Sequence, residues 1–249
     1  MIIKNFGKTN NEKIIILHGG GLSWWSLEPI IEILSKDYHV ITPIIDGHGE
    51  DGETTFISIS DTSDKIISYI DENCNGSVKA LCGLSIGAQI VVDTLSKRGD
   101  ICQFSIIESA LIKPIEILKS LYLPMINISY PLIKYKWYSK LQAKVLFVPD
   151  EKLDRYYEDS CKISKESLIN ITSSNGTFKL DKNISNTKAK VLIFVGEKEI
   201  KLMKQSAIEL HENIENSDLV IIPKSGHGEI SLLRPKEYCD YLLDLINKK

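Results

Sequence analysis

Long uncharged runs are absent from this chain. A membrane-spanning helix needs about eighteen or more consecutive apolar residues. The richest stretch, residues 110–132, is broken by Lys113, Glu116, Lys119 and by prolines. The opening, Met1-Ile2-Ile3-Lys4-Asn5, is apolar over too few residues for a signal peptide. Cysteine is scarce and unpatterned: there are five, an odd number, scattered and without a C-x-x-C. That excludes a disulfide frame or a zinc ribbon and predicts reduced core thiols in a cytoplasmic protein. An excess of either charge is also missing, since 30 Lys and Arg stand against 33 Asp and Glu for a net charge of -3. No nucleic-acid partner is expected. There is no G-x-G-x-x-G and no P-loop, and no His, Asp and Glu cluster has metal-ligand spacing. Neither a cofactor nor a metal is expected.

What the chain does have is alternation. Its 249 residues, 43% of them hydrophobic, suffice for an α/β domain with a sizeable core. Lys13–Leu17, His39–Ile44, the run before Ser85, Cys102–Glu108, Lys190–Val195 and Asp218–Ile222 are short, nearly continuous apolar runs. That is the pattern of strands covered on both faces. Helical spacing marks Ser26–Leu34, a segment capped by Asp61 or Ser63 and ending near Asn73, the residues after Ser85 to about Gly99, Lys201–Asn213 and Pro235–Ile246. The alternation predicts an α/β fold with a mostly parallel central sheet and helices on both faces. Right-handed crossovers then place the strand carboxyl ends on one edge, where ligands bind. Between 111 and 187 the pattern changes: prolines punctuate short apolar segments, and Tyr122, Tyr130, Tyr135, Trp137 and Tyr138 cluster. Residues 1–110 and 188–249 read as the core and 111–187 as an inserted helical cap, with a loop-like polar stretch at 170–186. Such a cap shields an active site from water. Trp24 or Trp25 is expected at the mouth of the pocket.

The densest chemistry lies in Cys82-Gly83-Leu84-Ser85-Ile86-Gly87, a G-x-S-x-G at a strand-to-helix turn. So tight a turn strains the serine backbone and leaves no room for side chains two residues to either side. In return, the hydroxyl stands above the sheet edge at the positive end of a helix, with the Ile86 N–H free to bind an anion. His18-Gly19-Gly20-Gly21 also follows a strand and aims bare N–H groups at one point. Gly20 is the expected second donor of an oxyanion hole, with Gly21 the next choice. Glu199 and His227 each follow a predicted strand as well. A serine needs a base to take its proton, and the base needs a carboxylate to fix its tautomer. Ser85, His227 and Glu199 fill those roles. Glu108, after the preceding strand, stays open as the carboxylate, and Glu197 is a poorer rival. His18, His39, His48 and His211 are expected to be structural.

With these motifs in this order, the whole chain resembles an α/β-hydrolase-fold protein of the single-domain kind with an inserted cap. The resemblance rests on the HGGG loop from His18, the Asp46-Gly47-His48-Gly49 turn, the GLSIG elbow, the strand ending Gly196-Glu197-Lys198-Glu199, and Ser225-Gly226-His227-Gly228. It implies a serine hydrolase that cleaves a carboxylic ester or related acyl substrate through an acyl-enzyme, with Gly20 and Ile86 as oxyanion donors. Same-site acyl transfer, carbon–carbon hydrolysis or lyase chemistry are the alternatives. A binding protein of the same fold is the rival of another class. The family's acid is most often aspartate, so Glu199 carries one methylene more. Few residues precede the first buried strand, which implies a leading hairpin truncated or reduced to one strand. The implied partner is a small-molecule acyl substrate, bound by a monomer or homodimer.

Overall fold

The computed structural model describes residues 1–115 and 122–247. Residues 116–121, Glu116 and Lys119 among them, lie outside that set, as does the side chain of Tyr122. The described strands are β1 (Ile2–Phe6), β2 (Lys13–Leu17), β3 (His39–Ile44), β4 (Val78–Leu84), β5 (Cys102–Glu108), β6 (Lys190–Gly196) and β7 (Ser217–Ile222). They form one sheet in the order β1-β3-β2-β4-β5-β6-β7. Only β1 among these strands runs antiparallel, against β3. The other pairings are parallel. The chain steps from β2 outward to β3, then returns past β2 to β4. The strand order therefore reverses between β2 and β4, and a crevice opens at their carboxyl ends.

Period-two alternation divides the core between the sheet faces. Ile14 and Ile16 pack with α1 (Glu28–Leu34) and α10 (Pro235–Asn247) on one face. Ile15 and Leu17 pack with α2 (Ile59–Asn73), α3 (Ile86–Lys97) and α8 (Lys201–Asn213) on the other. Every residue of β3 is buried, as a strand covered on both sides requires.

Among the described residues, four α-helices occupy the segment between β5 and β6: α4 (Tyr122–Ser129), α5 (Lys136–Val145), α6 (Leu153–Lys162) and α7 (Lys165–Thr177). A short α9 (Glu229–Leu233) precedes α10. Three expectations need correction. The helix expected to start at Asp61 or Ser63 begins at Ile59, because the Ser58 hydroxyl caps it by accepting from the Asp61 N–H at 3.0 Å. The helix expected from Ser26 opens as a 3₁₀ turn over Trp24–Leu27 and becomes α-helical only at Glu28. The stretch expected to be a loop from residue 170 is helical as far as Thr177. Its polar side chains are used in bonding. The Phe56 N–H donates to Ser167 Oγ at 3.1 Å, Asn170 Nδ2 donates to Phe56 O at 2.9 Å, and the Ile59 N–H donates to Ser174 Oγ at 3.0 Å. These bonds tie α7 to the chain entering α2. Gln89 Nε2 adds bonds to Leu111 O at 2.6 Å and Asn175 O at 3.1 Å.

Candidate active site

The turn after β4 is as tight as the sequence demands. Ser85 has φ +55° and ψ -117°. A Cβ on Gly83 would lie 2.4 Å from Gly87 O, and one on Gly87 would lie 2.5 Å from His18 O. Both contacts are with backbone, which has nowhere to go, so only glycine fits at either place. The Ser85 N–H donates to Glu108 O at 2.9 Å, locking the elbow to the neighbouring strand.

Ser85, Glu199 and His227 lie in the loops after β4, β6 and β7. The Ser85 hydroxyl donates to His227 Nε2 at 2.9 Å, and His227 Nδ1–H donates to Glu199 Oε2 at 2.8 Å. This direction of donation follows from the carboxylate, which only accepts when ionised. It gives His227 the tautomer whose free lone pair faces the serine. Glu199 is buried while His227 is about half exposed. Burial alone would raise the Glu199 pKa, but its hydrogen bond to His227 and the imidazole's charge outweigh that and hold it below the usual value. Its other oxygen accepts from the Gly196 N–H at 2.8 Å and from Ser109 Oγ at 2.7 Å. Ser109 was not legible as a site residue. The one available signal is its position directly after β5, where it takes a positive φ of 56°.

Glu108 is buried beneath the same loops, but its Oε1 accepts from the Ser231 N–H at 3.5 Å rather than from His227. Glu197 accepts from the Lys224 N–H at 2.7 Å at the surface. Ile86 is the first residue of α3, so its N–H has no helical acceptor. A Cβ at Gly20 would sit 3.6 Å from Ile86 Cγ2, which places the loop after β2 beside the start of α3. Among the described residues no backbone carbonyl accepts from either N–H.

A cavity of about 440 Å³ opens over Ser85 and His227, roofed by Val145, Leu146 and Phe147 and walled by Leu22, Leu84 and Leu232. Neither tryptophan lines it. Trp25 is buried and donates to Asp159 Oδ2 at 2.9 Å. Trp24 packs on Phe6 and donates to Glu50 Oε1 at 3.1 Å. The indoles thus tie α6 and the turn after β3 together instead of flanking the mouth.

The remaining histidines lie elsewhere. His18 Nε2 accepts from the Ile45 N–H at 3.1 Å and Nδ1 donates to Gly19 O at 2.9 Å; burial pushes its pKa down to about 3, so it is a neutral strut of the glycine loop. His48 is buried and donates to Asp46 O at 3.1 Å. His39 pairs with Asn5, and His211 with Ser217. Among the described residues no cluster of His, Cys, Asp and Glu could hold a metal ion, and no helix is long and apolar enough to cross a membrane. The five cysteines are free, and only Cys161 is exposed.

Residues 8–230 match the family described as serine aminopeptidase, S33. The chain belongs to that family of α/β hydrolases. As an α/β hydrolase it is 28% identical over 110 residues to an AB hydrolase superfamily protein of Gibberella zeae, a match spanning 42% of this chain and 38% of that protein. Among solved structures, a carboxylesterase of the ammonia-oxidizing thaumarchaeon Nitrososphaera gargenis superposes with a TM-score of 0.79 at 19% identity, over 98% of this chain and 93% of that one. MenH from S. aureus gives 0.76 at 20% identity, over 98% and 97%. Carboxylesterase CesB from Bacillus subtilis gives 0.76 at 17%, over 98% and 87%. At such identities the likeness is one of fold. The hydrolase fold joins an enzyme class, and its substrate has to be read from the site.

Proposed function

We propose that the chain is a serine hydrolase of carboxylic esters or related acyl substrates, acting through an acyl-enzyme. The observation that carries this reading is the unbroken hydrogen-bond chain from Glu199 through His227 to the Ser85 hydroxyl, at the floor of an apolar cavity. His227 takes the Ser85 proton as the oxygen attacks the acyl carbonyl. Glu199 holds the imidazole in its tautomer and stabilises the imidazolium. The Gly20 and Ile86 N–H groups receive the developing oxyanion; losing one such donor typically costs about 3 kcal/mol of transition-state stabilisation. His227 returns its proton to the leaving alcohol, then activates water to release the acid and free Ser85.

The lining favours an ester over a peptide with a free amino terminus. An aminopeptidase must bind an ammonium group, which calls for a carboxylate. Among the described residues lining the Ser85 cavity, none carries one. The helices between β5 and β6 act as a cap whose 145–147 turn overhangs Ser85.

A fluorophosphonate probe tests the reading. Labelling of the wild-type protein that disappears in Ser85→Ala is expected, together with hydrolysis of nitrophenyl esters. Glu199→Gln lowers kcat by orders of magnitude while Glu108→Gln stays close to wild type. A folded wild-type protein that neither labels nor turns over any ester overturns the assignment.

A further inference from the structure

The outer face of α5, the helix that ends at the cavity rim, carries two distinct rows of exposed side chains. On α5, Lys136, Lys140 and Lys144 stand at i, i+4 and i+8, and Trp137, Leu141 and Val145 stand one residue on at the same spacing. Residues four apart follow one another along a helix, so these are two parallel rows, one basic and one apolar, each roughly 12 Å long. All six side chains are exposed, and Trp137, Leu141 and Val145 are 57%, 55% and 75% exposed. The opposite face of α5 is the docked one, with Ser139 and Ala143 buried. Tyr135, 56% exposed, stands immediately before the helix beside exposed Lys134. From residue 122 to 148 the chain has four lysines and no acidic residue, although the whole protein is net negative at -3. The acids that approach this helix come from α6: Asp154 lies 3.0 Å from Lys136 Nζ, at the end remote from the cavity.

We infer that this face of α5 docks on an anionic phospholipid bilayer, with the Ser85 cavity opening at the lipid surface. The apolar row enters the acyl boundary, and the basic row lies beside it, where lysine stems run along apolar surface and their ammonium groups reach lipid phosphates. Trp and Tyr are the side chains that favour this boundary, having a large ring and one polar atom. Val145 joins the two features. It is the most exposed member of the apolar row and also lines the cavity above Ser85. A bilayer seated on the row therefore meets the cavity rim, and an ester in the lipid reaches Ser85 with its acyl chain shielded from water. This last step rests on the ester-hydrolase reading; the docking does not.

Vesicle flotation separates the two. Full-length Ser85→Ala protein is mixed with phosphatidylcholine vesicles, or with vesicles rich in phosphatidylglycerol, at low and at high salt. Flotation with the anionic vesicles, weakened by salt, is expected, together with a blue shift of tryptophan emission that Trp137→Phe removes. Each lysine near an anionic surface is worth about fivefold in partitioning, so Lys140→Ala with Lys144→Ala lowers it by about 25-fold. Fluorophosphonate labelling of these same substitutions in the Ser85 background stays at the wild-type level, since none of them belongs to the site. No flotation with either vesicle overturns the proposal, and so does flotation unchanged by the lysine substitutions. A concentration-dependent dimer abolished by Trp137→Ala also overturns it and assigns the face to a second copy. Failure of the hydrolase reading shows separately, as absent labelling of wild-type protein that still floats.

Discussion

Ser109 donates a 2.7 Å hydrogen bond to Glu199 Oε1 from a backbone held at φ +56°. The Ser109 N–H donates in turn to Phe194 O at 2.9 Å, so the pairing of β5 with β6 sets the hydroxyl's position. With Gly196 and Ser109 on one carboxylate oxygen, the other is directed at His227. A hydrogen bond to a charged group is worth about 1.5–3 kcal/mol. Ser109→Ala is therefore expected to lower kcat about tenfold or more with KM unchanged. Ser109→Gly loses the same hydroxyl but relieves the positive φ, and should melt above the Ala variant by about 1 kcal/mol of stability. Steady-state kinetics and thermal melts of the pair decide the matter. Full kcat in both variants would show that the hydroxyl does not position Glu199.

Glu108 gives a prediction in pH. Burial pushes its carboxyl up to about 7, against the opposing pull of the Ser231 hydrogen bonds. An unfolded glutamate ionises near about 4.3. Between those values the native state holds a proton that the unfolded state has lost, so stability falls as pH rises through the window and levels off above it. Glu108→Gln removes this dependence. It should melt higher than wild type above the window, by roughly 1–3 kcal/mol, and no higher below it. Melting curves on both sides of the window check the sign; a variant less stable than wild type at alkaline pH contradicts it.

Phe147 also stands at a positive φ, +55°, which is costly for a bulky residue. Phe147 lines the Ser85 cavity and also a second cavity of about 210 Å³ reaching toward Trp25 and Pro149. Phe147→Gly relieves the backbone and joins the two spaces. The ratio of kcat/KM for long over short acyl nitrophenyl esters should rise about tenfold, within what apolar pockets discriminate. An unchanged chain-length profile would mean that the ring does not bound the acyl site.

How far the sequence carried these readings depended on whether the signal was local. The runs at Lys13–Leu17 and His39–Ile44 are strands because β-branched residues covered on both faces have little alternative. Gly83 and Gly87 were legible because their requirement is steric and sits within four residues of chain. The helical nature of residues 170–177 was hidden. Asn170 and Ser174 look like loop formers until their bonds to Phe56 and Ile59, more than a hundred residues away, are seen. The tryptophans misled in the same way, since the partners of Trp24 and Trp25 are Glu50 and the distant Asp159.

The chain by itself determined the alternation that builds a parallel sheet, the elbow that strains Ser85, and the order serine, acid, histidine along one sheet edge. Each of these is written in neighbouring residues or in topology that short-range chirality fixes. Only the tertiary structure decided which carboxylate meets His227. Glu108 ends β5 and Glu199 lies just beyond β6, and both strands end on the same edge, so the sequence alone does not separate them. What does is the direction each side chain takes once β5, β6 and β7 are packed: Glu108 turns down to the Ser231 N–H, and Glu199 turns up to Nδ1 of His227.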